Sequence, residues 1–82
     1  MNVGERIKQR RLELNMSQDE LAKKCGYKSR SSINKIEMAR DLPIKKVYVM
    51  AKALNVSVKY LIGFDEAILK KDVIDYIEDP YY

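Results

Sequence analysis

Arg30, Ser31, Asn34 and Lys35 fall within six consecutive positions, and their side chains are of the kinds that donate to or accept from the edges of nucleic-acid bases. On a helix all four would share one side. A plain solvated face has the same composition, so the surrounding elements must decide between the two. Other chemistry lacks its parts. The chain has no histidine and a single cysteine, which removes zinc coordination, an internal disulfide and the common nucleophile–base pairs. Cys25, four residues after Leu21, has the place of a small core residue. No catalytic group, cofactor or metal is expected, and nothing points to a small-molecule ligand.

Length and charge narrow the class further. Eighty-two residues make one small domain, and 46% apolar with 34% charged residues is too rich in both for a disordered tail. The longest apolar run, Val47 to Ala51, is far short of the ~20 residues a bilayer needs. The first ten residues hold Glu5, Arg6, Lys8 and Arg10 and no apolar stretch of a secretion signal, so a cytoplasmic protein without a membrane partner is expected. Charge is uneven along the chain. Residues 1–63 hold 14 Lys/Arg against 6 Asp/Glu, net +8, whereas residues 64–82 hold 2 against 6, net −4. A basic body favours polyanions such as nucleic acid or an acidic membrane surface, although a lysine-rich solvated face gives the same surplus.

Cap signals place the helices that must position these groups. Asn2 with Glu5 forms a capping box ahead of Val3, Ile7 and Leu14, which share one face and predict a helix from Val3 to about Asn15. Arg11 lies on that inner stripe and needs a carboxylate partner if buried. Ser17 and Glu20 form a second box, with Met16 stapled to Leu21, for a helix from Gln18 to Cys25 ended by Gly26. Ser29 caps a third helix to about Met38, whose only apolar edge is Ile33 and Ile36. Pro43 opens a fourth, along Ile44, Val47, Ala51 and Leu54. Residues 56–60 alternate like a strand, but a lone strand would have no partner. Ser57 as cap and Gly63 as stop make a fifth helix the better account.

Two short helices joined by a glycine-bearing turn, the second nearly bare of apolar residues outside, match a helix-turn-helix. The ordered set resembles the lambda-repressor-like helix-turn-helix family of phage repressors, Cro proteins and XRE-type regulators. It is carried by Arg6-Ile7-Lys8-Gln9-Arg10-Arg11, Ser17-Gln18-Asp19-Glu20-Leu21-Ala22, Gly26, Ser32-Ile33-Asn34-Lys35-Ile36-Glu37, Ala51-Lys52-Ala53-Leu54-Asn55-Val56-Ser57-Val58 and Tyr60-Leu61-Ile62-Gly63, over residues 2–63. The resemblance implies an all-α, five-helix DNA-binding domain and a non-enzymatic transcriptional regulator, in particular a phage or prophage repressor that binds a double-stranded operator as a homodimer. It also implies residue roles. Arg30 and Ser31 would read bases, with Asn34 and Lys35 on the next turn facing the groove. Gln18, Lys28, Ser29, Arg40, Lys45 and Lys46 would meet phosphates, and Arg11 would pair with Glu37. Two departures stand out: the turn through Tyr27 and Lys28 is one residue longer than usual, and Ala39 stands where the family commonly ends the third helix with glycine.

Residues 64–82 lie beyond the resemblance and predict a sixth, acidic amphipathic helix. Its apolar side, with Leu69, Val73, Tyr76 and Ile77, would pack on the body or join Tyr60 in a dimer contact that could cover Leu12. An antitoxin or antirepressor that covers a protein partner with this helix is the alternative function, and a restriction–modification controller protein is a further one.

Overall fold

In a computed structural model of the protein, residues 1–63 are described, and they form five helices: α1 (Val3–Glu13), α2 (Gln18–Cys25), α3 (Arg30–Met38), α4 (Ile44–Leu54) and α5 (Val58–Ile62). The expected sixth helix lies outside the described residues. Each start has a local cause. Asn2 Oδ1 accepts from the Glu5 N–H at 3.0 Å and Glu5 Oε1 from the Asn2 N–H at 2.9 Å. Ser17 and Glu20 repeat the exchange at α2, and that backbone hydrogen bond, from the Ser17 N–H, is the main cause holding the Glu20 carboxyl below the ordinary range. Ser57 Oγ accepts from the Tyr60 N–H at 3.1 Å, so residues 56–60 enter a helix and not a strand.

The stops are equally local. Gly26 and Gly63 take left-handed φ of 80° and 81°, and Asn55 does the same after α4 at 56°. At α1 the helix ends earlier than the expected Asn15. Asn15 itself is left-handed (φ 55°) and turns the chain away, so Leu14 stays 38% exposed and is not part of the inner face. At the end of α3 Ala39 leaves in an extended conformation (φ −78°, ψ 142°), which needs no glycine.

One core serves all five helices. Ile7 from α1, Leu21 from α2, Ile33 from α3, Val47, Met50 and Leu54 from α4 and Leu61 from α5 are fully buried. Truncating such a side chain to alanine costs about 2–5 kcal/mol. Cys25 is half-buried against this cluster, its Sγ 4.0 Å from Met50 Sδ, and burial pushes its thiol pKa up, away from the reactive thiolate. A polar strut adds to the packing: Arg10 Nε donates to the Leu54 carbonyl at 3.1 Å and satisfies an orphan acceptor at the end of α4.

α1 crosses α3 with almost no space between backbones. A Cβ on Gly4 would lie 2.5 Å from the carbonyl oxygens of both Ala39 and Glu37 and 2.7 Å from that of Ile36. Alanine would raise helix propensity by about 1 kcal/mol, yet its methyl can only fit if the two helices part. Gly4→Ala is therefore expected to destabilise the fold by about 1–3 kcal/mol net, measured as a lower urea midpoint. An unchanged midpoint would mean that α3 is not held this closely.

Candidate nucleic-acid interface

α3 is amphipathic in the narrowest sense. Ile33, Ile36 and Glu37 are buried, while Arg30, Ser31, Asn34 and Lys35 are exposed. Glu37 is the sole carboxylate of this helix and it points inward, so no acid on α3 neutralises the outer face. Lys28 and Ser29 in the preceding turn, Arg40 after the helix, and Lys45 and Lys46 on the first turn of α4 are exposed as well. The structure thus leaves all nine of these candidate residues open to solvent.

The turn that aims α3 is packed and not loose. Gly26 reverses the chain, the Tyr27 N–H donates to the Ala22 carbonyl at 2.9 Å, and the Tyr27 side chain lies half-buried against the core. Ser29 occupies the cap position in an extended conformation, but its hydroxyl lies 2.6 Å from Ser31 Oγ and caps no helix amide. Tyr27, Ser32 and Ile36 also line a groove of about 210 Å³ with Lys35 and Lys46 at its edge.

Beneath the outer face sits a buried network. Arg11 Nε donates to Glu37 Oε2 at 2.6 Å and its Nη2 to Glu37 Oε1 at 3.3 Å, while Nη1 donates to the Met16 carbonyl at 2.8 Å. Gln18 Nε2 completes the set by donating to Glu37 Oε1 at 3.0 Å. Gln18, expected at a phosphate, stands half-buried at the start of α2 with its amide bonded to Glu37.

Met38 joins this exposed face, which the sequence reading leaves without it. It is 76% exposed and continues the stripe of Arg30 and Asn34 at four-residue spacing, with its sulfur 3.8 Å from Asn34 Nδ2. The spacing was the available signal. Tyr60 is half-buried and packed against the core, which leaves only part of its ring for a second chain, and Leu12 is 55% exposed. Leu69, Val73, Tyr76 and Ile77 lie outside the described residues. Among the described residues no group of Cys, Asp or Glu could hold a metal ion, and no helix is long and apolar enough to cross a membrane.

The Arg11 and Glu37 side chains are 9% and 3% exposed. Removing the carboxylate would strand a buried guanidinium, so Glu37→Ala should cost about 3–5 kcal/mol in a urea unfolding experiment. A loss below about 1 kcal/mol, the range of exposed pairs, would show that water reaches the arginine.

Comparison with known proteins agrees with this geometry. A family model described as helix-turn-helix matches residues 7–61. Among solved structures, a chain of a SinR protein/SinI protein complex is similar, with a TM-score of 0.65 and 30% identity over 96% of this chain and 78% of that chain. No curated protein matches at a significant level. On the matched residues and the five-helix architecture, the chain belongs to the XRE and lambda-repressor-like helix-turn-helix family, whose members are DNA-binding regulators and not enzymes.

Proposed function

We propose that this protein is a sequence-specific transcriptional regulator, of the phage or prophage repressor type, that enters the major groove of an operator with α3. The observation that carries this reading is the division of α3 itself: the outer side bears Arg30, Ser31, Asn34 and Lys35 with no local acid, and the inner side is locked to the core. Arg30 and Ser31 on the first turn of α3 read base edges, a role for which arginine has the two-pronged donor geometry that guanine accepts. Gln18, Lys28, Ser29, Arg40, Lys45 and Lys46 meet phosphates on either side. One short helix in one groove supports little affinity, so two copies on half-sites about 34 Å apart form the functional unit, with Tyr60 and residues 64–82 as the candidate contact. Such a regulator works in the cytoplasm.

A protein partner is the second reading. It draws on the similar chain being part of a SinR protein/SinI protein complex, and on the acidic, amphipathic residues 64–82, which suit a protein surface better than DNA.

Binding to duplexes selected from a random pool tests the first reading. Arg30→Ala should cost roughly 1–3 kcal/mol on the selected site and flatten preference at one base position. An equal loss on every sequence would make Arg30 a phosphate contact. Lys45→Ala and Lys46→Ala should instead weaken all sequences alike and lower the salt dependence by about one unit per contact. A salt slope that stays the same would take the start of α4 out of the interface.

A further inference from the structure

Lys35 stands apart from the other groups on the outer side of α3. At about 100° per residue, Asn34 lies roughly 40° from Arg30 around the helix, whereas Lys35 lies roughly 140° from it. On that flank it borders the groove of about 210 Å³ whose edge it shares with Lys46 of α4. Ile36 and Leu42 give the groove apolar walls, and Ser32 and Tyr27 add a hydroxyl each. Among the described residues no carboxylate lines it or pairs with either lysine. Two ammonium groups at one cavity repel each other, and an anion seated between them turns that repulsion into attraction. The apolar walls strengthen the effect by keeping water from part of the site.

We propose that one phosphate of a DNA strand seats in this groove between Lys35 and Lys46, so that Lys35 fixes the register of α3 on the duplex and reads no base. The assignment deepens the DNA reading above and rests on it. Charge decides the choice of occupant. A base edge carries only partial charge and suits a single lysine, whereas a phosphodiester carries a full negative charge over two oxygens, one for each ammonium. The hydroxyls of Ser32 and Tyr27 are donors of the kind that phosphate oxygens accept. Because Lys35 belongs to α3 and Lys46 to α4, the shared phosphate ties both helices to a single point of the strand. Sequence is then left to Arg30, Ser31 and Asn34.

A methylphosphonate scan of the selected duplex tests the seat, since exchanging one oxygen for a methyl removes the charge of one linkage at a time. For the parent chain, neutralising the seated phosphate should weaken binding roughly tenfold, the scale of a lost charged hydrogen bond. Lys35→Gln and, separately, Lys46→Gln should each lose most of that sensitivity at the same linkage and lower the salt slope by about one unit. Base preference should stay unchanged at every position in both. The two side chains are exposed, so neither exchange disturbs the core. Sensitivity lost at two different linkages would show that the lysines share no phosphate and would overturn the proposal. A preference flattened at one base pair by Lys35→Gln would overturn it too, by making Lys35 a base reader. A parent chain that binds no duplex overturns the DNA reading itself and this assignment with it. In that event, uptake of inorganic phosphate by the parent and by neither variant would give the groove to a free phosphate group.

Discussion

The ion pair between Arg11 and Glu37 is the constraint on which the arrangement turns. Two charges have left water, and each loses several kcal/mol of hydration in doing so. Four hydrogen bonds offset this: two between the pair, one to the Met16 carbonyl and one from Gln18. Those four contacts reach α1, the α1–α2 loop, the start of α2 and the end of α3. Apolar packing at the same place could give equal stability, but oil is indifferent to rotation. A forked guanidinium against a carboxylate is directional, and it fixes where α3 stands relative to α1 and α2.

That direction matters because α3 has little else. Nine residues are too few for a helix to persist alone in water, and Ile33 and Ile36 are its only buried apolar side chains. The close passage at Gly4 supplies the third restraint, by bringing the backbone of α1 onto the last carbonyls of α3. Apolar anchors, charge network and backbone contact all lie on one side of the helix. The opposite side owes nothing to folding.

Much of this was legible in the sequence where the cause is local. The capping boxes at Asn2 and Ser17, the serine at 57 and the glycines at 26 and 63 lie within a few residues of the amides or dihedrals they govern, so spacing alone reveals them. The sequence predicts too long an α1 because Asn15 can be helical or left-handed, and only the path toward Met16 and α2 selects the second. Gln18 was legible as a polar residue at a helix start, yet its partner is nineteen positions away and emerges only when Glu37 has turned inward. Arg6 carries the same lesson, since its crowding against Gly63 joins two ends of the described body that no short window spans.

The two-faced build of α3 has a bearing on how such a protein can change over generations. Residues 30, 31, 34 and 35 are exposed, so their replacement bears little on the free energy of folding while, on the proposed reading, it would rewrite what the helix recognises. The alphabet presented to a partner and the grammar that folds the chain are therefore carried by different positions of one nine-residue segment. On that reading a lineage would drift to a new target by single exchanges without having to cross an unfolded intermediate. Positions 33, 36 and 37 have no such freedom, and neither does the glycine on α1 that faces them.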